Sequence, residues 1–114
     1  MFERDGYDVT IHVPITFSQA VLGDDVEVPT VDGRIVQHIP EGTQSGTKFR
    51  LRGQGIQYLN GRGRGDQYVI VDVEIPKKVT RAPREALKAF EDSMKEDNYE
   101  KRKGFFKNLR DRFS

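Results

Sequence analysis

Val26-Glu27-Val28-Pro29-Thr30-Val31-Asp32-Gly33-Arg34-Ile35-Val36-Gln37-His38-Ile39 reads as two strands joined by a tight turn. Asp-Gly between alternating apolar residues is a favoured type I′ hairpin signal, because both residue types tolerate the positive φ this turn demands. With Asp32-Gly33 as the turn, Val31 opposes Arg34, Val28 faces Gln37 and Val26 faces Ile39. Val26, Val28, Ile35 and Ile39 then share one side. Glu27, Pro29, Val31, Arg34, Val36 and His38 share the other, more polar one. Pro29 has no N–H for a central ladder, which predicts an edge position for its strand.

Working outward toward the N-terminus, Tyr7-Asp8-Val9-Thr10-Ile11-His12-Val13 alternates with a period of two, so Tyr7, Val9, Ile11 and Val13 face one way. Pro14 limits central pairing beyond it. Between this strand and the hairpin, Ser18 to Leu22 offers a cap and apolar residues for one or two helical turns, closed by Gly23. Toward the C-terminus, Gly42 to Gly46 is a polar loop and Lys48 to Arg52 alternates again. Gly53 to Gly65, rich in Gly and Arg, predicts a long surface loop. Asp66 to Ile75 is the longest predicted strand, with Val69, Val71, Val73 and Ile75 on its core face.

After Pro76 the period changes. Thr80 can cap a helix, and Pro83 is tolerated in a first turn. Pro83, Leu87, Phe90 and Met94 follow helical spacing on one face. Lys95 to Lys103 is highly charged and reads as a hinge or an exposed helix. Phe105, Phe106, Leu109 and Phe113 recur as the apolar side of a second amphipathic helix. The expected architecture is mostly β: a small antiparallel two-sheet β-sandwich with one short helix over residues 1–79, followed by a helical tail over 80–114. A lone helix of this length is marginal in water and needs a partner surface.

The chemistry-bearing residues point away from catalysis. The 114 residues are 35% hydrophobic and 32% charged, with a net charge of +1 and no cysteine, so thiol chemistry and thiolate metal sites are excluded. Gly42-Thr43-Gln44-Ser45-Gly46-Thr47-Lys48 resembles a phosphate-binding loop but is a residue short, has Lys and Thr in the wrong order, and precedes a strand. His12 and His38 lack metal-ligand spacing. Asp24-Asp25 reads as a solvated loop rather than an acid/base pair. Gly61-Arg62-Gly63-Arg64-Gly65 could clamp a nucleic-acid backbone, yet the neighbouring aromatics are limited to Tyr58 and Tyr68. No catalytic residue, metal, cofactor, nucleic acid or membrane is therefore expected. Without a basic-then-apolar leader the expected compartment is the cytoplasm. The strand-like sequence directly after Met1 suggests a piece of a longer chain.

Three runs carry a family resemblance: Gly6 to Gly23 (GYDVTIHVPITFSQAVLG), Val26 to Gly33 (VEVPTVDG) and Ile39 to Gly53 (IPEGTQSGTKFRLRG). Together with Gly63 to Val69, the helix from Thr80 and the closing Lys103-Gly104-Phe105-Phe106, they resemble the second C-terminal domain and dimerisation helix of bacterial DnaJ, a heat-shock-protein-40 co-chaperone. Two positions depart from the pattern: Pro83 replaces a helix-friendly polar residue, and His38 a common lysine.

The resemblance implies a non-catalytic module that homodimerises and helps hold unfolded polypeptide for a 70-kilodalton heat-shock ATPase, which it meets through the full-length chain. The family's J domain, Gly/Phe linker, first C-terminal domain and zinc module are absent from this sequence, so neither ATPase stimulation through a J domain nor zinc binding is expected of it. For client binding it points to the edge from Asp25 to Thr30, with Phe17, Leu22, Val26 and Val28 beside it. The alternative is that these residues are ordinary core. For dimerisation it points to Ala86, Leu87, Phe90 and Met94, unless that helix docks on its own β domain. Phe105, Phe106, Leu109 and Phe113 would extend the seam, occupy a groove as a client does, or lie on an anionic membrane. Two function classes remain open: a polypeptide-binding, dimerising module, and a purely structural dimerisation module with clients held elsewhere.

Overall fold

Alternating β-branched residues and a few chain-reversing glycines build six strands around one apolar interior. A computed structural model describes residues 1–113; Ser114, the last residue of the expected tail, lies outside the described residues. The strands are β1 (Phe2–Asp5), β2 (Asp8–Ile15), β3 (Asp24–Pro29), β4 (Arg34–Ile39), β5 (Lys48–Leu51) and β6 (Gln67–Val73). The helices are α1 (Phe17–Leu22), α2 (Arg81–Ser93) and α3 (Glu100–Phe113), with a single 3-10 turn at Glu96–Asn98. The chain divides into two units, Met1–Ile75 and Pro76–Ser114.

The first unit contains a four-stranded sheet in the order β1-β2-β6-β5 and a two-stranded sheet, β3-β4. The β-rich two-sheet fold with a helical tail is the one the sequence predicts, with one refinement. β2 and β6 run parallel, Val9 beside Gln67 through Ile15 beside Val73, so the larger sheet is mixed. Alternation does not report strand direction, because both ladders share a side-chain period of two. The inner faces of the two sheets supply Ile11, Ile15, Val69 and Val71 on one side and Val28 and Ile39 on the other, joined by Ala20 of α1.

Pro14 lies inside β2 rather than at its end. The Val9 N–H donates to the Asp66 carbonyl and the Glu74 N–H to the Ile15 carbonyl, so odd-numbered residues of β2 bond β6. Pro14 turns its missing donor the other way, past the last β1 pair of Phe2 with Ile11. No ladder bond is lost there.

The hairpin forms, but with a different turn. Val28 pairs with Ile35, Val26 with Gln37 and Asp24 with Ile39. Thr30 and Gly33 exchange backbone hydrogen bonds of 2.7 and 3.4 Å, leaving Val31-Asp32 as the two turn residues. Neither of these, nor Gly33, has positive φ, so the turn is not type I′. The register is displaced by two residues from the expected one. A shift of two preserves the faces, whereas a shift of one would invert them; Val28 and Ile39 are accordingly buried and Val36 is 65% exposed.

Two other expectations change. Ile75 lies beyond β6 and is 71% exposed, so it is not part of the core face. Residues 53–65 are only partly a surface loop. The Tyr58 N–H bonds the Gly63 carbonyl and Gln57 bridges Arg64, making a small hairpin whose base presses on the β1–β2 turn. The Ile56 N–H donates to the Tyr7 carbonyl at 2.9 Å. A Cβ on Gly65 would lie 2.1 Å from that same carbonyl oxygen, and one on Gly55 2.5 Å from it. Both glycines are there because backbone meets backbone.

Candidate functional site

The short helix α1 sets the position of the smaller sheet. Its N-cap is Thr16 rather than Ser18. The Thr16 hydroxyl accepts from the Gln19 N–H at 3.1 Å, and the Gln19 carboxamide oxygen accepts from the Thr16 N–H at 2.9 Å. This reciprocal box satisfies two donors that a helix start leaves free. Gly23 ends the helix with φ 78°, and a Cβ there would approach the Ile39 carbonyl oxygen to 2.8 Å. The loop after β4 closes the helix terminus, with the Gly42 N–H on the Val21 carbonyl and the Thr43 N–H on the Ala20 carbonyl.

Between the end of α1, the start of β3 and the end of β4 lies an open groove of about 500 Å³. Leu22 and Pro40 give it its exposed apolar side, and Asp24, Asp25 and Glu41 its carboxylates, while Ile39 behind them is buried in the core. The His38 Nδ1 and an Asp25 carboxylate oxygen are 2.8 Å apart. Among the described residues, no lysine or arginine lines this groove.

β3 forms one edge of its two-stranded sheet. Because Thr30 bonds Gly33 across the hairpin, the even-numbered residues of β3 face β4 and Asp25, Glu27 and Pro29 face outward. Part of that outward row is already engaged. The Asp24 carboxylate accepts from the Asp25 N–H at 2.8 Å, and Gln67 Nε2 donates to the Pro29 carbonyl at 2.8 Å. Among the described residues, the Glu27 N–H and carbonyl and the Asp25 carbonyl have no partner strand on that side.

The structure divides the residues expected to meet clients. Leu22 is 68% exposed and lines the groove, and Phe17 is 42% exposed. Val26 is half-buried. Val28 is 1% exposed and packs in the core: its side chain points between the sheets, so no peptide reaches it from outside. The sequence reading also missed Pro40 and Glu41. Their place in the groove comes from the β4 exit folding back to α1, which has no local pattern.

Among the ion pairs of the first unit, two tie down its loops and turns. Arg64 pairs with Asp32 at the hairpin tip; hydrogen bonding to the guanidinium holds the Asp32 carboxyl below its ordinary range. Asp66 accepts from the Gly53 N–H at 2.9 Å and from Arg50 Nε at 2.8 Å. The Gly53 N–H first, then Arg50, lower its pKa. The arginine-glycine segment thus spends Arg64 on an internal contact.

In the second unit α2 follows an extended Thr80, and the Arg84 N–H makes the first helical bond to the Thr80 carbonyl. Pro83 falls among the first-turn positions that need no donor. α3 begins at Glu100, within the charged segment and ahead of the expected Phe105. Lys103 pairs with Asp97, which lowers the Asp97 pKa. The Tyr99 hydroxyl donates to Glu91 at 2.9 Å. Phe105 and Phe106 meet edge to face at 5.0 Å, and the Arg102 guanidinium sits 4.7 Å over the Phe106 ring.

Neither α2 nor α3 has a buried residue. Leu87 is 55% exposed, Phe105 63%, Phe106 38%, Leu109 41% and Phe113 78%. Ala86 is exposed, and Phe90 and Met94 are half-buried. Among the described residues, no helix is long and apolar enough to cross a membrane, and no group of three His, Cys, Asp or Glu could hold a metal ion.

The DnaJ C terminal domain family matches residues 1–76. The chain is 50% identical over 113 residues to a chaperone protein DnaJ of Ruminiclostridium cellulolyticum, covering 99% of this chain and 30% of that protein. It is 49% identical over 113 residues to that of Clostridioides difficile, at 99% and 29% coverage, and 47% identical over 112 residues to that of Listeria monocytogenes serotype 4a, at 98% and 30%. It therefore spans about 30% of the length of these relatives.

Proposed function

The chain belongs to the DnaJ C-terminal domain family, and on that premise we propose that it is a non-catalytic co-chaperone module that homodimerises and helps hold unfolded polypeptide for a 70-kilodalton heat-shock ATPase. The ATPase is met through the full-length chain, in the cytoplasm.

One observation carries the dimer: the second unit exposes Leu87, Phe105, Phe106, Leu109 and Phe113 while burying no residue of either helix. Covering a large apolar side chain contributes about 1.5–3 kcal/mol, and helices of 13 and 14 residues are marginal alone. A two-fold seam along Leu87, Phe90 and Met94, with Ala86 letting the backbones approach and Phe105, Phe106, Leu109 and Phe113 extending it, covers this surface with the same surface of a second copy. Two chains so joined present two weak client sites at high effective concentration.

Client holding rests on the free backbone groups of β3 and the groove beside Leu22. Main-chain bonds to a strand edge accept any client sequence, and an exposed apolar surface favours hydrophobic side chains. The burial of Val28 favours a second reading, in which this chain only dimerises and clients are held by domains outside it.

Solution mass across a dilution series tests the assembly. The expected result is a dimer that becomes a folded monomer in Leu87→Asp/Phe90→Asp. A monomer at every concentration overturns the dimer. Binding of an unfolded client to the chain separates the two readings.

A further inference from the structure

We propose that Asn60-Gly61, at the tip of the small hairpin over residues 57–64, is a self-modification site that converts to aspartate and its β-linked isomer through a cyclic imide. The site lies outside both the dimer seam and the client groove. It is the one Asn-Gly step in the sequence. Residues 59–62 around it are exposed, Leu59 to 94%, so water and a solvent base reach both reacting groups.

The reaction consumes a water molecule and involves no change of oxidation state. The Gly61 nitrogen attacks the Asn60 Cγ while its proton passes to a solvent base. The new N–C bond closes the imide ring, and the Cγ–Nδ2 bond breaks, its nitrogen leaving as ammonia. Water then opens either imide carbonyl. Opening at Cγ gives aspartate at position 60, and opening at the main-chain carbonyl leaves the chain joined through Cγ, as the β-linked isomer.

Two features of the tip favour the attack. Gly61 has φ 72°, and a Cβ there would meet nothing within 4 Å, so its nitrogen is unshielded and its backbone is free to bend toward the ring. The Arg62 N–H donates to Asn60 Oδ1 at 2.9 Å, where negative charge gathers as the nitrogen adds; a donor already in place stabilises that charge. The restraint is the Gly61 N–H, which donates to the Tyr58 carbonyl at 2.9 Å and has to be released first. An exposed turn bond of this kind opens locally, while the base of the hairpin stays held by the Gln57–Arg64 bridge and the Gly65 N–H on the Ile56 carbonyl. The other two asparagines are placed differently. Asn98 precedes Tyr99, whose N–H donates to the Glu96 carbonyl at 3.0 Å, and Asn108 lies inside α3 before Leu109; a following side chain crowds the nitrogen in both. Conversion sets a carboxylate beside Arg62, and the β-linked form adds a backbone methylene within the Tyr58–Gly61 turn, which re-aims Leu59.

The test is peptide mapping by mass spectrometry of the whole folded chain, aged in buffer at several pH values beside a free peptide of residues 57–64. Asn60 is expected to convert about tenfold or more faster than Asn98 or Asn108, and within about tenfold of its rate in the peptide. The rate should rise with pH, and both aspartate and the β-linked isomer should form. Gly61→Ala is expected to slow conversion by about tenfold or more in the chain and in the free peptide alike, so strain in the folded tip does not decide the outcome. A folded chain that reacts more than about tenfold slower than the peptide shows that the Tyr58 bond protects the site, and overturns the proposal. Equal rates at the three asparagines, aspartate without the β-linked isomer, or a Gly61→Ala peptide that reacts as fast as the original each overturn it as well.

Discussion

Gln67 Nε2 donates to the Pro29 carbonyl at 2.8 Å, joining the larger sheet to the outer strand of the smaller one from a side chain that is 0% exposed. An amide buried this fully in an apolar sandwich is costly unless bonded. Its position at the start of β6, opposite the end of β3, makes it a tie between the sheets at the hairpin end. The Gln67 Oε1 finds no hydrogen-bond partner among the described residues, so one half of the amide holds the strand and the other carries a desolvation cost.

Gln67→Leu is expected to destabilise the chain by about 1–2 kcal/mol, since losing the bond to Pro29 is partly offset by removing the unpartnered oxygen. Gln67→Glu is expected to cost more at neutral pH, where a buried carboxylate faces a carbonyl and two acceptors meet. Its folded pKa is then raised above the unfolded value, so the variant regains stability as pH falls toward about 4. Urea unfolding at several pH values reads both effects. A Gln67→Glu variant whose deficit is independent of pH refutes this account of the tie.

Gly65→Ala is expected to prevent folding or to cost several kcal/mol, because the Cβ would sit 2.1 Å from the Tyr7 carbonyl oxygen. Gly33→Ala, with nothing within 4 Å and no positive φ, is expected to be neutral within about 0.5 kcal/mol. The comparison checks the revised turn as well. A type I′ turn would need positive φ at Gly33 and would penalise alanine there. Circular dichroism melts of the two variants are sufficient.

Asp66 governs part of the acid response. Its pKa is lowered, by the Gly53 N–H first and then Arg50. A carboxyl lowered in the folded state contributes stability that is fully present above its unfolded pKa of about 3.9 and is lost as pH falls through the folded value. The wild-type urea midpoint should therefore fall below about pH 4 by more than that of Asp66→Asn. At pH 7 the variant should be the less stable of the two. Parallel midpoints across this range would remove Asp66 from the explanation.

Thr16→Ala/Gln19→Ala is expected to cost about 1–2 kcal/mol, because it removes both halves of the box that starts α1. Gln19 also reaches Asp24 at 3.3 Å, so loosening α1 should raise amide exchange at Leu22 and at the first residues of β3. Exchange confined to residues 17–19 would show that α1 and the groove are uncoupled.

Adjacent residues were enough to give a β-rich part with a helical tail, the inward residues of the strands except at Ile75, the helix stop at Gly23 and the absence of Cys chemistry. These follow from local periodicity, from the φ range each residue type tolerates and from composition, all written in adjacent residues. The hairpin shows where that legibility ends. Asp32-Gly33 specified a reversal, and the apolar alternation specified which side faces inward, but the turn moved back by one residue on each strand. A two-residue slip keeps Val26, Val28, Ile35 and Ile39 on one face, so hydrophobic patterning does not resist it; the observed hairpin meets Arg64 at Asp32 and Gln67 at Pro29, residues more than thirty positions away in each case. Tertiary structure likewise decided that β2 and β6 run parallel and that Gly55 and Gly65 press on Tyr7. It also buried Val28, which edge and groove reasoning had placed within reach of a client. The groove joins Leu22 to Pro40 and Glu41 through chain reversal alone, since no spacing rule connects a helix end to the exit of a strand nearly twenty residues later.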